Sequence, residues 1–375
     1  MKKSDVCNYL KGLVIPHMPD DFVIAKPFRH GLDDIELKRG ISAFRLFLHQ
    51  LFDKIATDEN ITPAKVYAPE LGNDSIRDSF PILNDIAVVL FSLGIYGELK
   101  TEPRYELTVD GNDLLTPFIS KKPSAIKKLN NKRKLELFSF LSDMGFYFED
   151  LNLDNDIDLS KAGTFYITYE NDDFLILGLK LIAQALGNID ANFLKLASVF
   201  MRCDFYPLAN ATIKKHTASA SAFANPQSSQ IRNWIVNLER HLMASGCKIS
   251  CFSLSNTTGG GSFSYVSRKS KKTVCSINMG ILGCEISIHG NHFSNECSIL
   301  AELPENMLNF IKTGRSICGK MQEPNFKCKH GGQFKFTHNG ETFEICKWGG
   351  FNFALSDKSD LPLYRKWIDL ELAWS

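Results

Sequence analysis

Two segments without periodic apolar positions constrain the fold of this chain most, because they divide its 375 residues into parts that can each form a core. The first, 119–134, is basic, and the second, 209–229, consists mainly of small and polar residues. Such compositions are typical of connectors. The chain is also longer than a single hydrophobic core usually grows. We therefore expect domains at 1–118, 135–208 and 230–375.

Composition gives each of these parts enough apolar residues for a core. The apolar fraction is 44% and the charged fraction 23%, both ordinary for globular proteins. The net charge of +1 provides no overall attraction for DNA, RNA or an anionic membrane. Binding to any of these would depend on a local patch.

Export and membrane signals are not visible in the sequence. The beginning, Met-Lys-Lys, lacks the apolar run and cleavage site of a secretory signal. The longest apolar stretch, 86–96, is shorter than the about 20 residues that cross a bilayer. Eight of the ten cysteines lie after position 246, and without an export signal we expect reduced thiols. We predict a cytoplasmic protein with no membrane partner and a separate C-terminal domain.

The N-terminal part shows a helix, strand, turn, strand, helix pattern. Periodic apolar residues predict helices at 41–55 and 81–93, followed by two strands around Pro103 and a helix near 111–118. The sequence Tyr-Glu-Leu-Thr-Val-Asp-Gly-Asn-Asp-Leu-Leu at 105–115 resembles the wing strand and following helix of winged-helix proteins. This resemblance implies that helix 81–93 would enter the major groove of DNA.

The charge of this region opposes DNA binding. Between positions 76 and 115, three basic residues stand against seven acids, and such a surface repels phosphate. Helix 81–93 presents Asn84 and Asp85 and is otherwise almost wholly apolar. Nucleic-acid contact would then depend on the basic connector, which could also be a solvated linker. Its candidate contact residues are Lys121, Lys122, Lys127, Lys128, Lys132, Arg133 and Lys134.

The middle part, 135–208, is predicted to be a small α+β module. A helix is expected to end near Gly145, and two more helices are expected at 174–186 and 191–201. The alternating residues of 164–170 predict a half-buried strand between them.

The C-terminal part is predicted to be an antiparallel sheet with flanking helices. A helix at 231–244 precedes three strands, and a helix at 361–373 closes the chain. The strands are expected at 262–267, 273–279 and 283–289. The fold class is therefore α+β with several domains: a winged-helix-like N-terminal module, the small α+β module and this sheet domain.

The Asn-Gly dipeptide at 339–340 predicts a hairpin, because it favours the type I′ turn whose twist matches that of paired strands. A two-residue loop pairs His338 with Glu341 and, at the far end, Gln333 with Cys346. In this register aromatic and aliphatic residues share one face, as cross-strand pairing prefers.

Cysteine and histidine residues converge at the far end of this hairpin. Extending the register places Cys328 and His330 near Cys346, and Cys318 lies ten residues before Cys328. Three thiols and an imidazole form the ligand set of a structural zinc site. However, Cys328-Lys329-His330 is not a close Cys-x-x-Cys knuckle. Three interpretations stay open: zinc binding, a reactive thiol pair, or cysteines that act as small buried hydrophobes.

Short motifs in the same region resemble those of a group of bacterial proteins. The motifs are Gly246-Cys247-Lys248, Leu303-Pro304-Glu305 and Phe351-Asn352-Phe353, with Cys318, Cys328 and Cys346 around the hairpin. The upstream segment that ends at 201–206 is similar to the same group, which extends the resemblance over the last two thirds of the chain. His330 stands where the group has a further cysteine. The resemblance implies a shared domain and no mechanism.

No catalytic signature is visible in the sequence. The glycine run at 259–261 lacks the Gly-Lys-Ser/Thr ending of a phosphate-binding loop, and no Gly-x-Ser-x-Gly elbow occurs. We predict a non-enzymatic regulatory or interaction protein whose partner is DNA, a protein, a metal or a small molecule. The alternative is an enzyme or a zinc-binding protein with its site around Cys328, His330 and Cys346.

Overall fold

The chain folds into two compact units of α+β structure. A computed structural model describes residues 2–16, 18–67, 76–117, 125–215, 219–254, 260–289, 333–338, 340–346 and 350–374. The N-terminal unit is Met1–His216 with Leu254–Gly259, and the C-terminal unit is Thr217–Ser253 with Gly260–Ser375. Both contain helices and sheets, which confirms the predicted α+β class.

Six helices are described in the N-terminal unit, and the second, third and fifth of them form its centre. Its helices are α1 (Lys3–Leu13), α2 (Asp34–Thr57), α3 (Pro81–Tyr96), α4 (Asn131–Asp143), α5 (Phe174–Gly187) and α6 (Phe193–Phe200). α3 and α5 are apolar around most of their circumference and are buried between their neighbours, as the hydrophobic pattern requires. In the part of the chain that the structure describes, no helix is long and apolar enough to cross a bilayer.

Two glycines allow α2 and α5 to pack backbone to backbone. A Cβ atom at Gly178 of α5 would lie 2.0 Å from the carbonyl oxygen of Gly40 in α2. No side chain fits in that space, so the crossing requires glycine on α5. Around it, Phe44, Phe47 and Leu48 of α2 are fully buried. The main core of the unit therefore joins two helices that are far apart in sequence.

Two antiparallel sheets complete the N-terminal unit. Its strands are β1 (Ala64–Tyr67), β2 (Ile76–Ser79), β3 (Glu98–Lys100), β4 (Glu106–Asp110), β5 (Phe146–Glu149) and β6 (Thr164–Tyr169). β1 pairs with β2, and the other four form a sheet in the order β3-β4-β6-β5. The inner face of this sheet packs on α2, where the Phe47 ring lies 5.4 Å from Phe146 and 5.9 Å from Tyr169.

The predicted basic connector does not separate two compact units. β4 precedes it and β6 follows it, yet the two strands pair directly. Within it, Ile126 is buried in a short 3-10 helix, Ile126–Lys128, and α4 begins at Asn131 after the capping residue Asn130. Among the connector residues that the structure describes, 125–134, Ile126 is the only buried apolar side chain. It leaves no periodic apolar pattern, which is why the sequence suggested a linker.

The second predicted connector, 209–229, contains the division between the two units but also contains ordered structure. A short helix, α7 (Ala220–Phe223), buries Phe223, whose ring centroid lies 5.0 Å from that of Phe263. The carboxylate of Glu239 accepts hydrogen bonds from the N–H groups of Ala220 and Ser221. These contacts attach the segment to the C-terminal unit.

The C-terminal unit is a five-stranded sheet with helices on one face. Its helices are α7, α8 (Ser229–Ala244) and α9 (Leu361–Trp374), and its strands are β7 (Cys247–Leu254), β8 (Gly261–Ser267), β9 (Thr273–Gly280), β10 (Gly283–His289), β11 (Gln333–His338), β12 (Glu341–Cys346) and β13 (Gly350–Leu355). The sheet order is β13-β10-β9-β8-β7, and β11 pairs with β12 as a hairpin. All six residue pairs predicted for this hairpin, including Gln333 with Cys346, are confirmed.

Aromatic residues attach α8 and α9 to the sheet. The Tyr265 hydroxyl of β8 donates a hydrogen bond of 2.8 Å to Glu239 of α8. The Trp367 ring of α9 lies 5.5 Å from Phe351 and 5.9 Å from Phe353 of β13. The predicted three strands, the opening helix and the closing helix all agree with the structure to within two residues at each end.

Candidate functional site

The predicted zinc ligands lie almost wholly outside the described residues. Cys318, Cys328 and His330 are not among them, and for Cys346 the structure describes the backbone at the end of β12. Among the residues that are described, no group of three or more histidine, cysteine, aspartate or glutamate side chains could hold a metal ion.

Five other cysteines have free thiols in the interior. Burial raises the pKa of Cys7 to about 11 and that of Cys284 to about 12. Cys203, Cys247 and Cys275 are also buried, and burial raises the pKa of each thiol. Because the thiolate is the reactive form, these five residues serve as small apolar side chains of the core.

The basic residues predicted to contact nucleic acid do not form one free patch. Lys121 and Lys122 lie outside the described residues. Arg133 binds the carboxylate of Asp85 at 2.7 Å, and the buried Lys134 donates to Asn131 at 3.1 Å. The remaining candidate contact residues, Lys127, Lys128 and Lys132, are exposed.

Helix α3, which the winged-helix resemblance would place in a DNA groove, is a core helix. Its residues from Ile86 to Gly94 are all buried. The exposed polar surface of this helix is reduced further because Asp85 binds Arg133 of α4. No open face of α3 is therefore available to read bases.

The N-terminal unit contains an open groove of about 1060 Å³ beside strand β5. It follows the strand, the chain turn before it and the loop that leads from β6 to α5. We call it the β5 groove. Its lining residues are Gly145–Phe148 and Thr168–Asp173 together with Arg39, Arg104, Ser142 and Leu153.

A glycine turn positions β5 at the groove. α4 ends at Asp143, and Gly145 adopts a φ of +101°, a conformation that side-chain-bearing residues rarely adopt. The chain reverses there, and the N–H of Glu170 donates to the Gly145 carbonyl at 3.0 Å. This bond sets the first rung of the ladder between β5 and β6.

The register of that ladder directs alternate backbone groups of β5 toward β6 and away from it. Gly145 and Glu170 form a hydrogen-bonded pair, so alternation directs the backbone groups of Tyr147 and Glu149 toward β6 as well. The N–H and C=O groups of Phe146 and Phe148 then point away from β6. Among the described strands, β5 pairs with β6 alone. Phe146 and Phe148 are nearly fully buried, at 3% and 6% exposure, so these backbone groups are covered and do not form an open edge.

Side chains alternate across the two faces of β5. Phe146 and Phe148 are buried on the inner face, where Phe148 meets Phe138 of α4 at 5.0 Å. Tyr147 points to the outer face and is 59% exposed, and its cross-strand partner Thr168 is buried. An exposed aromatic ring in a groove is a surface suited to contact with another chain.

Two charged side chains of the groove are engaged within the protein. The guanidinium of Arg39 lies 3.9 Å from the centre of the Phe174 ring and 3.8 Å from an oxygen of Asp172. Asp173 accepts a hydrogen bond of 3.1 Å from the N–H of Tyr105. These groups stabilise the wall of the groove.

Two other charged side chains of the groove are free. Arg104 and Glu170 are exposed, and neither has a hydrogen-bond or ion-pair partner in the described parts of the chain. Arg104 precedes Tyr105, whose ring packs 4.9 Å from Phe174 and whose hydroxyl donates to Glu36 at 3.0 Å. The free guanidinium of Arg104 therefore extends from a backbone that the contacts of Tyr105 hold in place.

Comparison with models of protein families gives no match. Comparisons with curated proteins and with solved structures give no match either. The two resemblances inferred from the sequence therefore stay predictions, and the case for the β5 groove depends on its geometry.

The β5 groove was not anticipated from the sequence, although one signal for it was present. The run Phe-Tyr-Phe-Glu at 146–149 alternates apolar and exposed positions directly after the glycine that ends α4. That pattern is typical of a half-buried strand. The contributions of Arg39 and Arg104 had no local signal, because contacts between distant segments bring them to the groove.

Proposed function

We propose that this protein is an interaction module that binds a partner polypeptide in the β5 groove. The observation that carries the proposal is the groove itself, which is lined by the exposed ring of Tyr147 and the free side chains of Arg104 and Glu170. Contact with the tyrosine ring gives affinity for another chain, and the two free charges give selectivity.

The composition of the groove favours recognition over covalent chemistry. Its described lining contains arginine, tyrosine, asparagine and phenylalanine, and contains no cysteine, histidine or lysine. Tyrosine and arginine are the side chains that most often dominate binding energy at protein interfaces. The acids Asp172 and Asp173 are engaged in contacts within the protein.

The charges of the groove define the partner more closely. Arg104 is complementary to a carboxylate, and Glu170 is complementary to a lysine or arginine. We therefore propose an extended peptide segment with one acidic and one basic side chain, flanking a residue that packs on Tyr147. The winged-helix-like arrangement of α3, β3 and β4 stays a prediction, and the proposed binding surface does not depend on it.

A peptide-display selection on the immobilised full-length chain tests the proposal. We expect selected peptides to bind with micromolar affinity, and Arg104→Glu or Tyr147→Ala to weaken binding by about tenfold or more. Arg268→Glu, a matched charge reversal at an exposed residue of the C-terminal unit, should leave binding unchanged. Replacing the acid of the peptide by lysine should restore binding to Arg104→Glu. If the variants at the groove bind every selected peptide as the native chain does, the proposal is wrong.

A structural zinc site in the C-terminal unit is a second candidate function, and the hairpin register favours it. Gln333 at the start of β11 pairs with Cys346 at the end of β12, and His330 and Cys328 precede β11 by three and five residues. Metal analysis of protein purified without a chelator tests this. About one zinc per chain, lost in Cys346→Ser, supports it; protein without zinc contradicts it.

A further inference from the structure

We infer that the partner residue that packs on Tyr147 is an arginine, held between the tyrosine ring and the carboxylate of Glu149. This inference rests on the proposed function and names the chemistry of the peptide at its central position. The partner is therefore a basic segment, because this arginine is present in addition to the basic side chain that is complementary to Glu170.

The outer face of the four-stranded sheet places a free acid beside Tyr147. Tyr147 and Glu149 alternate with the buried Phe146 and Phe148, so both point to the outer face. Residues two apart on a strand are separated by about 7 Å, which a guanidinium and a flexible glutamate side chain can span. Glu149 is exposed and has no hydrogen-bond or ion-pair partner in the described parts of the chain.

The chain itself combines a cation, an aromatic ring and a carboxylate twice in this unit. The Nζ of Lys100 lies 4.6 Å from the centre of the Tyr166 ring and 3.1 Å from an oxygen of Glu106. Arg39 makes the same kind of contact, over the ring of Phe174 and beside an aspartate. In both cases the ring holds the cation and the acid pairs with it.

Tyr147 and Glu149 provide the ring and the acid of a third such combination. Glu149 pairs across the strands with Tyr166, so this position lies next to the ring that Lys100 covers. Tyr147 is 59% exposed, and among the described residues no lysine or arginine lies over its ring. The attraction that places Lys100 on Tyr166 therefore favours a cation from the partner on Tyr147.

Arginine fits this position better than lysine. A planar guanidinium stacks on an aromatic ring while its N–H groups reach a neighbouring carboxylate, whereas an ammonium is a compact and more strongly hydrated charge. An exposed cation–ring contact and an exposed ion pair are each weak, and together they increase the affinity by about five- to tenfold. The contact therefore selects among peptides that the groove can bind.

Replacing arginine by citrulline in peptides selected from a random library on the full-length chain tests the inference. Citrulline keeps the shape of arginine and removes its charge. We expect the selected peptides to share an arginine, and citrulline at that position should weaken binding by about five- to tenfold. Tyr147→Leu, which removes the ring and keeps an apolar side chain, should weaken the arginine peptide by a similar factor and the citrulline peptide by clearly less.

Two charge-neutralising variants of the outer face locate the arginine. Glu149→Gln should weaken the arginine peptide by about two- to fivefold. Glu98→Gln is the matched control, because Glu98 is an exposed acid on β3, three strands away from β5 on the same face. Three strand spacings are about 14 Å, which exceeds the screening length of about 8 Å at physiological salt. Glu98→Gln should therefore leave the affinity unchanged.

The outcomes separate this inference from the proposed function. If peptides bind in dependence on Tyr147 but lack a shared arginine or tolerate citrulline, the inference is refuted while the binding function stands. Equal losses of the arginine and citrulline peptides in Tyr147→Leu refute it as well, because the ring and the charge then act independently. If no peptide depends on the groove, the function itself fails.

Discussion

Replacing Gly178 with alanine should destabilise the N-terminal unit and leave the C-terminal unit unaffected. The new Cβ would lie 2.0 Å from the carbonyl oxygen of Gly40, 2.5 Å from its carbonyl carbon and 2.8 Å from the Cβ of Phe44. Two of these neighbours are backbone atoms, which cannot rotate away. Helices α2 and α5 must therefore separate by about 1 Å, a gap that forfeits a quarter to a half of the dispersion energy of the contacts involved.

The size of the effect follows from two opposing contributions. Overpacking a core costs about 1 to 3 kcal/mol and sometimes more, whereas alanine favours a helix over glycine by about 1 kcal/mol. Because the conflict involves backbone, the cost lies at the upper end of its range, about 3 kcal/mol, and we expect a net loss of about 2 kcal/mol in the free energy of unfolding. For a unit of this size, such a loss lowers the Tm by about 4 to 8 °C.

The distribution of tryptophan allows the two units to be observed separately. All four tryptophans, at positions 234, 348, 367 and 374, belong to the C-terminal unit, so their fluorescence reports the unfolding of that unit. Circular dichroism reports the helices of both. Gly178→Ala should lower the transition seen by dichroism and leave the fluorescence transition in place. Gly12→Ala, in the last turn of α1, is the control and should not lower the Tm. If Gly178→Ala is as stable as the native chain, the close crossing of α2 and α5 is wrong.

Two further predictions concern a buried acid and a histidine. Glu239→Gln should destabilise the C-terminal unit by about 2 to 3 kcal/mol in urea unfolding followed by fluorescence, because the amide cannot accept from Tyr265, Ala220 and Ser221 together. Glu285→Gln, at an exposed position of β10, is the control, and equal stabilities would contradict the role of Glu239. Burial, and after it the positive charges of Lys11 and Arg45, lowers the pKa of His49 below its ordinary value of 6.5. The unfolded chain therefore binds the proton more readily, so the N-terminal unit should lose stability as the pH falls through 6.5 toward the lower folded-state pKa. His49→Gln should reduce that loss, and an unchanged pH profile would exclude His49 as its source.

Local signals predicted much of the fold. The hairpin of β11 and β12 was predicted to the residue because an Asn-Gly turn leaves a single register. The three strands of 262–289 were predicted because alternation and short turns act over a few residues. In each case the determining residues are neighbours in sequence.

The parts that sequence did not predict depend on distant contacts. Ile126 and Phe223 make their segments part of a core, but each is nearly alone among polar residues and gives no periodic pattern. The β5 groove combines Arg39 of α2, Arg104 of a turn and Tyr147 of β5. No spacing rule relates these three positions, because packing of the whole unit determines their separation.

The crossing of α2 and α5 also determines when the N-terminal unit can fold during synthesis. Gly40 and Gly178 are 138 residues apart in the chain. At ordinary rates of translation, α5 emerges about 7 to 28 s after the segment that it packs against. Throughout that interval the apolar face of α2, with Phe44, Phe47 and Leu48, has no α5 to cover it. A nascent chain arrested before Phe174 would therefore expose this face and be a substrate for chaperones.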